Sequence, residues 1–163
     1  MRKILITIFL LILILSNTYP QVQDFTQLKN QLMREASALR SHLATTKDIV
    51  FVSSMWDSCL IAINQIDAYF FMIGIINARK ATMNEEAIGY LFSWLERMEK
   101  LNNTNLRSLA DQTKVIESGT IRHMKKLEEI FRDFNLYIGK EKKRVGTLKE
   151  LLTRRNRIER LGR

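Results

Sequence analysis

Two histidines, one cysteine and a few neighbouring carboxylates are the residues of this chain that could carry chemistry. A carboxylate-bridged metal pair in a helical bundle takes Glu-x-x-His from facing helices. Leu39 stands three residues before His42 and Thr120 three before His123, so neither histidine has its carboxylate. Cys59 is the one thiol, which leaves no Cys/His spacing for zinc. It lies at an apolar position with no cation within a turn, where cysteine behaves as an inert small hydrophobe. Asp57 and Asp67 are about 15 Å apart along a helix. Paired-carboxylate hydrolysis needs about 5–10 Å. Glu85 and Glu86 are adjacent in the first turn of a helix, where acids complement the dipole. No glycine-rich phosphate loop and no nucleophile elbow occurs. The expectation is a non-enzymatic protein with no catalytic residue, metal, cofactor or small-molecule substrate.

The elements around these residues are helical. The chain has 163 residues, 46% of them hydrophobic, with one proline and six glycines. That scarcity of turn formers predicts long helices, few loops and one all-α domain. The stretch Asp48–Arg79 is apolar nearly all the way round a helix. Val52, Met55, Trp56, Cys59, Ile63, Ile66, Tyr69, Phe70, Ile73 and Ile76 form a wide face at helical spacing. Ser53, Asp57, Asn64 and Asp67 form a narrower polar stripe, interrupted by Leu60 and Ile61. Such a helix is expected to be covered by the others. As a membrane span it would carry two aspartates at a cost of about 3 kcal/mol each, so the bundle reading is preferred. Asp48 is its expected N-cap. Asp57, Asn64 and Asp67 are candidates for fixing register or meeting a partner.

The remaining segments supply the coat. Asp24-Phe25-Thr26-Gln27 and Thr82-Met83-Asn84-Glu85 read as capping boxes that open helices. Phe25, Leu28, Leu32, Ala36, Leu39 and Leu43 form the stripe of the first. Ala87, Ile88, Leu91, Trp94, Leu95, Met98, Leu101, Leu106, Leu109 and Ile116 form that of the second. Asn102-Asn103-Thr104-Asn105 loosens the second stripe and predicts a kink or a polar layer. Gly119 is expected to stop that helix in a left-handed conformation. Ile121, Met124, Leu127, Phe131, Phe134 and Ile138 carry the next helix, and Gly146-Thr147 suggests a restart.

At the start, Met1-Arg2-Lys3 precedes an apolar run from Ile4 to Leu15, interrupted only by Thr7. A run of about 18 Å is short for a hydrocarbon core of about 30 Å and has the form of a secretory signal. Two fates fit it: cleavage after Ser16 or Thr18, or retention as an inner-membrane anchor. Either places the rest of the chain outside, in the periplasm or at the cell surface. The expected division is 1–20 signal peptide, 21–139 helical bundle and 140–163 basic helical tail. The fold class is an all-α, elongated antiparallel bundle of four to five helices.

The formal charge is +9. Residues 21–139 are neutral, whereas Lys140 onward holds ten basic and three acidic residues. Lys142, Lys143, Arg144, Arg154, Arg155 and Arg157 are therefore candidate contact residues. The tail reads as a solvated helix end or as a dock for an acidic partner or anionic membrane surface. Nucleic acid is disfavoured by the export signal and by the absence of aromatics after Tyr137.

The segments MNEEAIGYLFSWLERMEKLNNTNLRSL, SGTIRHMKKLEEIFRDFNLYI and GKEKKRVGTL, with Glu85, Glu86, Tyr90, Leu95 and Glu96 in the first, resemble helical exported proteins of conjugative-transposon transfer operons. Those are similar in turn to the VirB-five/TrbJ-like minor-pilus component of type IV secretion systems. The likeness spans roughly residues 24–155 and transfers no functional residue. It implies a helical protein that assembles with other subunits, itself included, in a transfer or secretion apparatus. The alternative is a periplasmic ligand-sensing or lipid-binding bundle, with Trp56, Tyr69, Phe70 and Trp94 lining a pocket.

Overall fold

Four helices follow one another in the computed structural model, which describes residues 19–78, 85–110 and 117–161: α1 (Tyr19–Leu43), α2 (Ile49–Ala78), α3 (Glu85–Ala110) and α4 (Ser118–Leu161). Among the described residues there is no strand. Short connections make successive helices antiparallel neighbours, and side-chain pairings fix the order around the bundle. Phe25 of α1 packs on Tyr69 and Phe70 of α2 and on Phe134 of α4. Trp94 Nε1 of α3 donates to the Gln65 carbonyl of α2 at 3.3 Å. Lys142 of α4 pairs with Glu99 of α3 at 2.7 Å. The result is an up-down-up-down four-helix bundle with α2 and α4 on opposite corners. Phe25, Leu32, Leu39, Val52, Cys59, Ile66, Leu95, Met98, Phe131 and Ile138 are among the residues of its core.

The apolar helix is one corner of this bundle and not an enclosed rod. It buries Val52, Met55, Cys59, Ala62, Ile66 and Tyr69, inside the face the periodicity marks. Ile49, Val50, Ile61, Phe71 and Ile75 remain exposed, Val50 by 85% and Phe71 by 69%. The reason is geometric: each helix of a four-helix bundle turns one stripe inward, and three neighbours cannot encircle the fourth. From Ile49 to Ile76, α2 is long and apolar enough to cross a membrane by length and composition. Its exposed stripe nevertheless interleaves Asp57, Asn64 and Asp67 with Ile61 and Phe71. Hydrocarbon around the whole helix would therefore meet two carboxylates.

Three punctuation signals are overridden. First, α1 already includes Asp24, with Pro20 in its first turn, where the missing N–H costs no hydrogen bond. Asp24-Phe25-Thr26-Gln27 therefore lies inside the helix and is not its cap. Second, Gly119 sits in the first turn of α4, and no described glycine has a positive φ. Its role is steric: a Cβ there would lie 3.1 Å from His42 Cε1. Third, α4 runs unbroken through Gly146 for 44 residues, about 66 Å. Thr147 bonds back to the Lys143 carbonyl at 3.0 Å instead of opening a new helix. The core pattern continues across this point through Glu141, Val145 and Leu148, so no helix break marks position 140. The segment Ile4–Leu15, the box at Thr82 and the apolar position Ile116 lie outside the described residues.

The asparagine run yields a polar layer with the helix intact. Asn102 is buried, and its Nδ2 donates to the Phe131 carbonyl at 2.6 Å and to Asn135 Oδ1 at 2.8 Å. Asn135 in turn donates to Asn103 Oδ1 at 2.7 Å. Such a layer ties α3 to α4 at one register, since a slip would strand buried amide groups.

Candidate interaction surface

At the end of the bundle where α1 turns into α2, the two histidines distant in sequence come together. Their ring centroids are 5.2 Å apart. His123 Nδ1 donates to Glu35, a fully buried carboxylate that also pairs with Lys126 at 2.6 Å. His42 Nε2 is hydrogen-bonded to Thr120 Oγ1 at 2.9 Å and lies 4.0 Å from Glu117. The missing signal in the sequence is the partner. Glu35 lies outside every Glu-x-x-His window and reaches His123 across the bundle. Among the described residues no group of three His, Cys, Asp or Glu is placed to hold a metal. The imidazole hydrogen-bonds one oxygen of the buried carboxylate, and the ammonium pairs by charge with the other. We assign the cluster to holding α1 against α4.

The adjoining turn is a reciprocal clasp. Glu117 accepts from the Thr46 hydroxyl at 2.7 Å and the Lys47 amide at 2.9 Å. The Asp48 carboxylate accepts from the Glu117 amide at 3.3 Å. Asp48 does stand at the start of α2, with its carbonyl taking the Val52 amide at 3.0 Å. Its carboxylate, however, serves the N-terminal end of α4 and not the first turn of its own helix. The Thr46 hydroxyl, then the Lys47 amide, hold the Glu117 carboxyl below its usual range.

Further along the core, Tyr69 donates to the buried Glu141, which Arg144 also holds, its Nε donating at 2.8 Å. Burial first, then the Glu141 charge, push the Tyr69 phenol above its ordinary range. Burial likewise pushes the Cys59 thiol up to about 12, with the Glu35 charge adding to it.

The surfaces left open are of two kinds. One is the outward stripe of α2: Val50, Ser54, Asp57, Ile61, Asn64, Ala68, Phe71 and Ile75 recur at alternating spacings of four and three. That is the period of a helix seam facing another helix. Asp57 and Asn64 are exposed on it, and Asp67 beside it pairs with Lys29. Its C-terminal part runs into a groove of about 420 Å³ between α2 and α3, lined by Met72, Ile75, Ile76, Tyr90, Leu91 and Trp94, with Arg97 at its edge. Of the four aromatics expected to line a pocket, Trp94 does so. Tyr69 is core, while Trp56 and Phe70 pack partly buried against the core.

The other open surface is cationic. The structure divides the basic candidates of α4. Lys142 reaches Glu99 and lies over the Phe92 ring, and Arg144 is held by Glu141, so both serve the bundle. Lys143, Arg154 and Arg157 face outward. The side chain of Arg155 lies outside the described residues. Lys149, Glu150, Thr153, Arg154 and Arg157 line a shallow depression of about 300 Å³. Thr153 donates to Glu85 Oε1 at 2.8 Å, bringing this part of α4 beside the start of α3.

Compared with families of known proteins, with curated proteins and with solved structures, the chain shows no match.

Proposed function

We propose that this chain is an exported, non-enzymatic helical protein that works by association, as a component of a conjugative transfer or type IV secretion apparatus. The observation that carries the association reading is the outward stripe of α2. A solvated corner helix has no need of Val50, Ile61, Phe71 and Ile75 in a row at seam spacing. The interleaved Asp57 and Asn64 suit a protein partner, against which they can be hydrogen-bonded and can fix register. The leader-like start and the resemblance to transfer-operon proteins supply the setting.

Two measurements test this. Light scattering on the purified chain should give a mass above one chain, and Ile61→Asp should return it to one. For a partner other than self, a photoreactive residue at Ile61 should give a discrete adduct in cells, and one at the exposed Glu129 should not. A single-chain mass together with no adduct at position 61 removes the reading.

The groove favours a second reading, a lipid- or apolar-ligand-binding bundle. Its volume falls within the ~300–1,000 Å³ of small-molecule sites, and its lining is mainly apolar, with Ser93 and Arg97 among it.

A further inference from the structure

We infer that the end of the bundle formed by the last turns of α2, the start of α3 and the basic part of α4 docks into an anionic lipid surface, with the groove at Trp94 taking up acyl chains. The inference rests on the lipid-binding reading of the groove and adds the bilayer, its charge and the orientation.

Three independent features meet at this end. The first is where polarity stops along α2. Asp57, Asn64 and Asp67 punctuate its outward side, but from Ala68 to Ile76 the only polar side-chain atom is the Tyr69 hydroxyl. That hydroxyl is buried on Glu141. These nine residues span about 13 Å, comparable with the roughly 5–10 Å to which interfacial helices sink. Phe71 and Ile75 are exposed there, as is Tyr90 on α3. Tyr90, with an apolar body and a polar tip, suits the headgroup boundary.

The second feature is charge. Lys149, Arg154 and Arg157 are exposed on α4 beside the start of α3, together with the acidic Glu150 and Glu86. By sequence alone, residues 77–86 and 149–163 carry eight basic and four acidic residues. One of the four acids, Glu85, accepts hydrogen bonds from Thr153 and Asn156. A cation near an anionic membrane strengthens binding by roughly fivefold.

The third is chain direction. Tyr19 opens α1 at this same end, since Phe25, six residues on, already packs on Tyr69 and Tyr137. The apolar run Ile4–Leu15 precedes Tyr19 by three residues. A leader retained in a bilayer would therefore present this end, and not the histidine end, to the lipid.

The test uses the full chain carrying Trp56→Phe, so that fluorescence reports Trp94 alone. Vesicles of phosphatidylcholine are compared with vesicles containing phosphatidylglycerol, each with brominated acyl chains. In a separate arm a monomeric brominated fatty acid is added without vesicles. The expected result is quenching of Trp94 on the anionic vesicles. Partition to them should fall about 25-fold in Arg154→Gln/Arg157→Gln, at roughly fivefold per cation, with far-ultraviolet dichroism unchanged. A Phe71→Ser/Ile75→Ser variant should lose quenching while its leader still binds. Trp94 quenched by the fatty acid but not by vesicles overturns the bilayer dock and leaves the ligand-binding reading standing. Quenching by neither overturns both. Equal partition to neutral and anionic vesicles, or no effect of the arginine changes, overturns the charged dock.

Discussion

Glu35 is the residue whose removal most sharply tests the tertiary structure. It is fully buried between His123 and Lys126; its acidic type reads as outward-facing, yet it lies three residues after Leu32 and four before Leu39, on the buried stripe of α1. Replacing it with leucine strands the His123 donor and takes the partner from Lys126. Taking one partner from a buried ion pair costs about 3–5 kcal/mol. Here the loss should fall near 3 kcal/mol, at the low end of that range. The reason is that the Lys126 side chain is 56% exposed and can turn to water, whereas His123 is 12% exposed and cannot. With a urea slope of about 2 kcal/mol/M, the midpoint of unfolding followed by circular dichroism should drop by about 1.5 M.

The double variant Glu35→Leu/His123→Leu carries the argument further. Removing carboxylate and imidazole together leaves no buried polar group unpartnered, so the double change should cost less than the sum of the single ones by at least ~1.5 kcal/mol. Additive losses, or a Glu35→Leu midpoint within ~0.3 M of the parent, as for an ordinary surface substitution, would refute the buried triad and with it the packing of α1 on α4.

Four other outcomes follow from particular sites. Gly74 lies within α2 with open space where a Cβ would go, so Gly74→Ala should stabilise by about 0.5–1 kcal/mol. Gly119→Ala should do worse in the same thermal melts, because its Cβ displaces His42 and strains the bond to Thr120. The Glu117 carboxyl is held below its ordinary value of 4.5. Its contribution is thus complete above that pH and is lost as pH falls through the depressed folded value. The stability gap between the parent and Thr46→Val should be flat above pH 6 and close on acidification; a gap that widens in acid contradicts the clasp. Cys59, buried and with its thiol pushed up to about 12, should resist alkylation at neutral pH in the folded chain and react once urea unfolds it. Rapid labelling of the native chain would place α2 elsewhere than in the bundle.

The local sequence determined the helices and their inward stripes. Leu28, Leu32, Ala36 and Leu39 on α1, Val52, Met55, Cys59 and Ile66 on α2, and Leu127, Phe131, Phe134 and Ile138 on α4 are inward-facing by spacing alone and buried in the bundle. Periodicity reports burial because 3.6 residues per turn puts these side chains on one side whatever lies opposite. What spacing cannot report is how much of a helix its neighbours cover. The apolar character of α2 nearly all the way round reads as a helix covered on every side, yet only the fourfold arrangement shows that no helix is left to cover Ile61 and Phe71. Punctuation was equally undetermined. Asp24, Gly119 and Gly146 carry signals that mark helix ends in isolation, yet each lies inside a continuous helix. The two imidazoles complete the contrast. Each searches in vain for a carboxylate along its own helix, and each finds one where the chain folds back, since charge and hydrogen bonding act through space and have no period in sequence.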